Sequence, residues 1–291
     1  MQNLIPQFLK VYQSRLKHST LNDYRSILSH HISQFADIEA LNLGFEDYLA
    51  ALAITGKRKN NILCACRTFV TWATRRQLLH GDFLTIPKFP HRTKKTKPLT
   101  ADQARLVMDF SAYPYKDFFG LSILTGLRTG EALGLQFQDF DQRARVIKVR
   151  RSLTCGKVST TKTMSSDREV PLSRPIWDIY EKRRRVNIRA SPWFFFSPYR
   201  GLMSLGAIRK AWKDCLSVFE IEPRPLYATR HTFASLSIAA GEDPLYIAKV
   251  MGHGRPDQLF LKYASYLEGV KNDGQKFLEL LGKKSLLRAV T

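Results

Sequence analysis

The chain has 291 residues, with 46 Lys and Arg against 25 Asp and Glu, a formal net charge of +21. Hydrophobic residues make up 44% of the sequence, which is enough for a well-buried core and excludes a basic tail or a disordered wrapper. A positive charge of this size attracts a polyanion, and nucleic acid is the usual one.

The sequence carries no pattern typical of a membrane protein, a metal site or a disulfide framework. Its cysteines form no CxxC pair and have no histidines at zinc-finger spacing: Cys64, Cys66, Cys155 and Cys215. No apolar run reaches the ~18 residues that span a membrane, and residues 1–10 lack a signal peptide. We therefore expect reduced thiols, no metal and a cytoplasmic, nucleoid-associated protein.

Apolar residues at helical spacing from Asn3 to about Leu79 predict four short helices in one bundle, which forms a domain of residues 1–87. Ser19 or Thr20 is expected to cap the start of the second helix. The third is predicted from Phe45 to Leu52 and the fourth from about Lys57 to Leu78.

The fourth predicted helix begins with three cations, Lys57, Arg58 and Lys59. Cations at this end oppose the helix macrodipole, which is already positive there. A phosphate partner explains them, and the alternative is a solvated basic turn.

Residues 88–98 are expected to form an extended basic linker with almost nothing to bury. Its lysines Lys94, Lys95 and Lys97 are candidate DNA-binding residues, together with the three cations of the fourth helix. Two domains joined by such a linker can bind a duplex from opposite sides.

The second domain, residues 99–291, is predicted to be mainly helical with a small antiparallel sheet. Thr100 is a good N-cap for its first helix, and Asp243 with Pro244 predicts the start of a late one. Three alternating segments are expected to form the sheet: Arg145–Arg150, Lys157–Thr161 and Arg168–Leu172.

Two arginine motifs lie in this second domain. Arg128 occurs in TGLRTGEAL, where Glu131 one turn later can fix the planar guanidinium, and Arg230 occurs in RHTFAS. An ordinary surface pair is the alternative for Arg128 and Glu131.

Three further residues complete a set suited to phosphate chemistry. Lys162 lies on the turn between the second and third predicted strands, His253 follows Met251-Gly252, and Tyr263 lies in LKYAS. Fixed cations around an activated hydroxyl allow a phosphodiester to be cut without metal.

These motifs resemble those of the tyrosine recombinases, the phage-integrase family, over residues from about 99 to 281. The N-terminal helices are similar in layout to the family's core-binding (SAM-like) domain. The resemblance implies a site-specific DNA recombinase, an integrase, that cuts and rejoins duplex DNA through a covalent 3′-phosphotyrosyl intermediate. It implies neither a metal nor a nucleotide cofactor.

The same resemblance implies the role of each residue. Arg128 and Arg230 bind the scissile phosphate, His253 hydrogen-bonds it, Lys162 protonates the departing 5′-oxygen, and Tyr263 is the nucleophile. For Lys162 and His253 the alternatives are a solvated hairpin lysine and a helix cap.

Two departures from the family pattern stand out. Tyr227 occupies the position where most members carry histidine, and a phenol is a poorer proton acceptor than an imidazole near pH 7. Tyr263 follows His253 by ten residues where many members use nine, and Tyr266 remains the rival nucleophile. His231 and Tyr246 are interpreted as structural.

The implied partners are double-stranded DNA attachment sites, DNA-bending accessory proteins and three further copies of the chain in a tetramer on DNA. The apolar segment from Val270 to Val290 is expected to dock on a neighbouring protomer. A resolvase or inversion recombinase is the alternative enzyme. A DNA-binding clamp with a decayed site is the alternative from another class.

Overall fold

The computed structural model describes residues 1–81, 86–92, 96–154, 156–160, 167–187, 191–197 and 201–252. The chain divides into two compact units, Met1–Lys95 and Thr96–Thr291. The boundary between them falls within the predicted linker, residues 88–98. The prediction of a mainly α-helical protein with small antiparallel β-structure is confirmed. In the part of the chain described, no helix is both long enough and apolar enough to cross a membrane.

The first unit is a helical bundle. Its α-helices are α1 (Ile5–Tyr12), α2 (His18–Ile27), α3 (Ile38–Ala51) and α4 (Gly56–Arg75). A 3-10 turn, Gln2–Leu4, precedes α1, and a π-helical segment, Leu28–Ile32, continues α2.

The boundaries of three helices differ from the predicted ones. Helix α3 begins well before Phe45 because the Asp37 carboxylate accepts a hydrogen bond from Ala40 N at 2.8 Å and caps the helix there. Helix α2 begins at His18, so Ser19 and Thr20 lie inside it. Helix α4 begins at Gly56, close to the predicted Lys57, and ends at Arg75 rather than at about Leu78.

Aromatic residues form the centre of the first unit. Phe8 is fully buried, and its ring lies 4.3–6.4 Å from the rings of Tyr12, Tyr24, Phe69 and Trp72. These residues come from α1, α2 and α4, so the helices share one apolar core.

Both ends of the predicted linker are attached to a folded unit. The Asn60 amide donates to Phe89 O and accepts from Phe89 N, both at 2.9 Å, and the Lys59 ammonium lies 5.2 Å from the Phe89 ring. In the second unit, Leu99 N donates to Thr232 Oγ1 at 2.9 Å. The expectation of a segment with almost nothing to bury was therefore wrong for Phe89, which packs on the core of the first unit.

The second unit contains the remaining described α-helices and a 3-10 turn, Phe137–Asp139. Its α-helices are α5 (Ala101–Phe110), α6 (Tyr115–Thr125), α7 (Thr129–Leu133), α8 (Arg174–Val186), α9 (Leu205–Val218), α10 (Ala228–Ala239) and α11 (Pro244–Met251). Helix α6 is buried along most of its length and packs against α5, α8, α9 and α10. Thr100 caps α5 and Asp243 caps α11, as predicted.

The described strands of this unit form three small antiparallel sheets rather than one. The strands are β1 (Phe140–Asp141), β2 (Val146–Val149), β3 (Arg151–Thr154), β4 (Lys157–Thr160), β5 (Arg168–Pro171), β6 (Phe196–Ser197) and β7 (Gly201–Leu202). The sheets are β1-β2-β5, β3-β4 and β6-β7.

The single predicted sheet was wrong because the segment from Lys157 pairs with a strand that the sequence pattern did not reveal. Thr154 lies opposite Lys157, so β3 and β4 form a hairpin of their own. The predicted first and third strands do pair, with Val149 opposite Arg168 and Ile147 opposite Val170.

The β3-β4 hairpin packs closely on α7. A Cβ atom at Gly130 would lie 2.5 Å from Ser152 Oγ and 2.8 Å from Leu153 O, so a larger residue would displace β3. This contact places the hairpin beside the helix that begins directly after Arg128.

Candidate active site

Arg128 occupies the N-cap position of α7, and Glu131 holds it from one turn further on. The Glu131 carboxylate accepts from Arg128 N at 2.9 Å and from Arg128 Nη1 at 2.7 Å. Arg128 Nη2 donates to Gly252 O at 3.0 Å. The Glu131 carboxylate therefore holds the Arg128 guanidinium by hydrogen bonds, and the pair differs from an exposed surface pair because Glu131 is buried.

A second arginine, Arg168, shares the same carboxylate. Arg168 Nη2 donates to Glu131 Oε2 at 2.9 Å, and both side chains are almost fully buried. Burial would raise the pKa of the Glu131 carboxyl, but the hydrogen bonds and charges of Arg168 and then Arg128 hold that pKa below its ordinary value. Glu131 is therefore an anion between two cations.

Arg168 also contacts the end of α11. Its Nε donates to Val250 O at 2.6 Å, and a Cβ atom at Gly252 would lie 2.9 Å from Arg168 Nη1. Gly252 has a φ of +65°, the left-handed conformation that ends a helix at glycine.

Sequence reasoning missed Arg168 as a site residue, although a signal was present. In the predicted strand, Arg168 alternates with Val170 and Leu172, so all three side chains belong to one face. That face is buried, and an arginine on it needs a buried partner.

Arg230 lies on α10 and is 1% exposed. Its Nη1 donates to Gly126 O at 2.6 Å, whereas Nε and Nη2 have no hydrogen-bond partner among the described residues. Burial lowers the pKa of the guanidinium to about 10, so Arg230 stays cationic at neutral pH.

These groups form one cationic site. The charges of Arg128, Glu131 and Arg168 all act on the pKa of Arg230. Two of the three guanidinium groups bond the Glu131 carboxylate, and three cations with one anion leave an excess of two positive charges among these four side chains. Such a site is suited to a phosphate, whose oxygens accept from planar guanidinium groups.

Tyr227 precedes α10 and is half-exposed. Its ring lies 5.1 Å from the ring of His231, one turn along the helix, in an edge-to-face arrangement. His231 therefore lies beside the predicted site residue Tyr227 and is partly exposed, whereas neighbouring Arg230 is buried.

Several predicted residues lie outside the described part of the chain. They are Lys94, Lys95, Lys162, His253, Tyr263 and the rival Tyr266. Tyr246, interpreted as a packing residue, is 44% exposed on α11, which contradicts that interpretation.

The predicted DNA-binding cations that the structure describes differ in their contacts. Lys57 is exposed at the start of α4. Arg58 Nη1 pairs with Asp23 at 2.9 Å, and Lys59 Nζ donates to Ala50 O at 2.8 Å. Lys97 Nζ forms an exposed pair with a glutamate, Glu222, at 3.0 Å. The three cations of α4 therefore do not form one free cluster.

Within the described ranges, no group of three His, Cys, Asp or Glu side chains is arranged to hold a metal ion.

The chain is similar to a family of known proteins. The phage integrase family model matches residues 97–267. The ICEBs1 integrase of Bacillus subtilis (strain 168) is 25% identical over 278 residues, 86% of this chain and 75% of the relative. Prophage integrase IntR of Escherichia coli (strain K12) is 24% identical over 66% of this chain, which spans 53% of the relative.

Solved structures show the same fold. An integrase of transposon Tn1549 in complex with a circular intermediate DNA has a TM-score of 0.70 at 19% identity, covering 96% of this chain and 99% of that one. A lambda integrase dimer bound to a COC′ core site has a TM-score of 0.68 at 13% identity, covering 92% and 77%. Because the sequence identity to both structures is below 25%, the structural similarity establishes the fold alone.

Proposed function

The chain belongs to the phage integrase family, and we propose that it is a site-specific DNA recombinase, an integrase that cleaves and rejoins duplex DNA through a covalent 3′-phosphotyrosyl intermediate. The reaction integrates or excises a phage or mobile element. The relatives include integrases and tyrosine recombinases, which supports this assignment.

The observation that carries the proposal is the Arg230 guanidinium, which is buried with two N–H-bearing nitrogens that lack a described partner. A buried unsatisfied donor costs about 1–3 kcal/mol, and more when it is charged. A ligand that brings oxygen acceptors offsets this cost. The scissile phosphate is such a ligand.

Arg128 and Arg230 bind the non-bridging oxygens of that phosphate. Arg128 already has two donors engaged with Glu131 and Gly252, which orient its plane. The excess positive charge of the site stabilises the pentacoordinate transition state, in which negative charge on the oxygens increases. His253 and Tyr227 donate further hydrogen bonds to the phosphate.

The chemical step is a transesterification. The phenol of Tyr263 loses its proton to water and its oxygen forms a bond to phosphorus, while the bond from phosphorus to the 5′-oxygen breaks and Lys162 protonates the departing oxygen. The 5′-hydroxyl of a second strand then attacks the phosphotyrosine and releases Tyr263. The phosphotyrosyl bond conserves the energy of the broken phosphodiester, so rejoining requires no ATP.

The two units have different functions on DNA. We assign residues 1–87 to core-site binding, 88–98 to a basic connection and 99–291 to catalysis with a C-terminal tail. Exposed Lys57 is a phosphate contact, and Lys97 can exchange its glutamate partner for a phosphate because exposed pairs contribute about 0–1 kcal/mol. The working assembly is a homotetramer on attachment sites in the cytoplasm, assisted by DNA-bending proteins.

The test is covalent trapping on a nicked suicide substrate, whose sequence comes from junctions that the protein makes in a DNA library. We expect an adduct that still forms in the presence of a chelator, with the linked peptide containing Tyr263. Tyr263→Phe abolishes the adduct, whereas Tyr246→Phe, which changes an exposed tyrosine of the same unit, is the matched control.

Attachment at Tyr266, or an adduct with Tyr263→Phe, contradicts the choice of nucleophile. Specific binding without any adduct contradicts the enzyme and supports the DNA-binding clamp.

A further inference from the structure

We propose that Arg168 is a positioning residue, which holds Arg128 and the end of α11 in one array and so sets the geometry of the phosphate site. This inference rests on the proposed function, because it concerns how the same site is oriented. Arg168 itself is assigned no contact with DNA.

The contacts of Arg168 join three parts of the second unit. Its strand, β5, supplies the side chain; Glu131 of α7 accepts from Nη2 at 2.9 Å, and Val250 O of α11 accepts from Nε at 2.6 Å. The partners lie 37 and 82 residues away in sequence. One planar group thus connects the helix that follows Arg128 with the helix that precedes His253.

Glu131 could not hold Arg128 in the same way without Arg168. Glu131 Oε1 accepts from Arg128 Nη1, while Oε2 accepts from Arg128 N and Arg168 Nη2. Among the interactions that lower the pKa of the Glu131 carboxyl, those with Arg168 are the largest. Removing Arg168 leaves Arg128 as the main counter-charge of a buried carboxylate and draws its guanidinium away from the phosphate.

Arg168 also fixes the turn to which Arg128 is bonded. Arg128 Nη2 donates to Gly252 O, and the Arg168 guanidinium lies where a side chain at Gly252 would be, since a Cβ atom there would be 2.9 Å from Nη1 and 3.0 Å from Cζ. A shift of this turn therefore moves Arg128 and the start of the following segment together.

A lysine cannot replace these contacts. Arg168 uses Nε and Nη2 of one plane for two acceptors that lie on different helices, whereas an ammonium is a single point of charge. Arg168→Lys therefore keeps the positive charge but loses the link between Glu131 and Val250. A defect in this variant indicates a positioning role, whereas wild-type activity indicates a purely electrostatic one.

The experiment compares single-turnover cleavage of a nicked suicide substrate that carries either a phosphate or a methylphosphonate at the scissile position. The methylphosphonate has no negative charge, so cleavage of it gains less from well-placed arginines. The variants are Arg168→Met and Arg168→Lys. The matched control is Arg151→Met, which removes another largely buried arginine, paired with Asp139 at 2.7 Å.

We expect both Arg168 variants to bind DNA with unchanged affinity and to cleave the phosphate about 10- to 100-fold more slowly, as a misplacement of about 1 Å does. Their phosphate-to-methylphosphonate rate ratio should fall below that of the wild type. Arg151→Met should keep the wild-type ratio, whatever its thermal stability.

Three results would overturn the inference while leaving the proposed function intact. They are unchanged cleavage by a folded Arg168→Lys protein, an equal loss on both substrates, and failure of both Arg168 variants to fold, which would make Arg168 a residue of the fold. A wild-type protein that forms no adduct with either substrate would instead refute the proposed function itself.

Discussion

Substitution of Gly252 by alanine should disrupt the arginine array from its α11 side. Gly252 has a φ of +65°, and a Cβ atom there would lie 2.9 Å from Arg168 Nη1, 3.0 Å from Cζ and 3.1 Å from Cδ. Because the contact includes Cδ, in the middle of the side chain, Arg168 cannot avoid it by moving its tip alone. The guanidinium must shift from Glu131 and Val250.

Gly201→Ala is a matched control for the backbone effect. Gly201 has a φ of +73°, and a Cβ atom there meets nothing within 4 Å. A left-handed conformation costs an alanine about 1–2 kcal/mol at either position. In Gly252→Ala the free energy of unfolding should fall by a further ~1.5–3 kcal/mol, the contribution of one hydrogen bond to a charged group.

Thermal unfolding checks this difference. For a unit of this size, 1 kcal/mol corresponds to about 2–4 °C, so Gly252→Ala should melt about 3–12 °C below Gly201→Ala. At a temperature where both are folded, Gly252→Ala should form the covalent adduct about 100-fold more slowly. Equal melting temperatures together with equal adduct rates would refute the reasoning.

Four further outcomes are expected. Tyr227→Phe should slow adduct formation by about 10- to 100-fold through loss of one transition-state hydrogen bond, and a wild-type rate would show that the hydroxyl is not used. Asp117→Ala should destabilise the second unit by about 3–5 kcal/mol in denaturant titrations, because it leaves the buried Arg183 guanidinium without its counter-charge; a loss below about 1 kcal/mol would contradict this. The pKa of Glu131 is lower in the folded protein than in the unfolded chain, and this difference stabilises the fold. The stabilisation is complete above the pKa of the unfolded chain and is lost as the pH falls through the pKa of the folded protein. Glu131→Gln should therefore melt at a lower temperature than the wild type at pH 7, and its melting temperature should fall less on acidification. If the melting temperatures of the two proteins change with pH in parallel, that linkage is excluded. Lys57→Gln should reduce the slope of log affinity against log salt by about one, as loss of one phosphate contact does, and an unchanged slope would place Lys57 off the DNA.

The local motifs of this protein were readable from the chain alone. Arg128 and Glu131 are three residues apart at a helix start, so their pairing needs nothing but helix geometry. The start of α11, with Asp243 as its cap and Pro244 as its first residue, follows in the same way, because it depends on the first turn of the helix. Apolar spacing likewise predicted the helical bundle, since period 3.6 is a property of neighbouring residues.

Contacts between distant segments were decided by the tertiary structure. The β3-β4 hairpin forms its own sheet and packs on α7, although the period-two pattern predicted one sheet for the whole region. The alternation in β5 marks Arg168 as inward-facing, but it does not show that Glu131 and Val250 are its partners.

Arg230 shows the same limit within one motif. RHTFAS identifies the residue, whereas its burial, its bond to Gly126 O and its two nitrogens without a partner among the described residues depend on how α10 packs against α6. This hydrogen bond joins residues 104 positions apart in the sequence, and local propensity carries no information about such a pair. The sequence therefore determined which residues have the chemistry for phosphate, and packing decided which of them are oriented by one another.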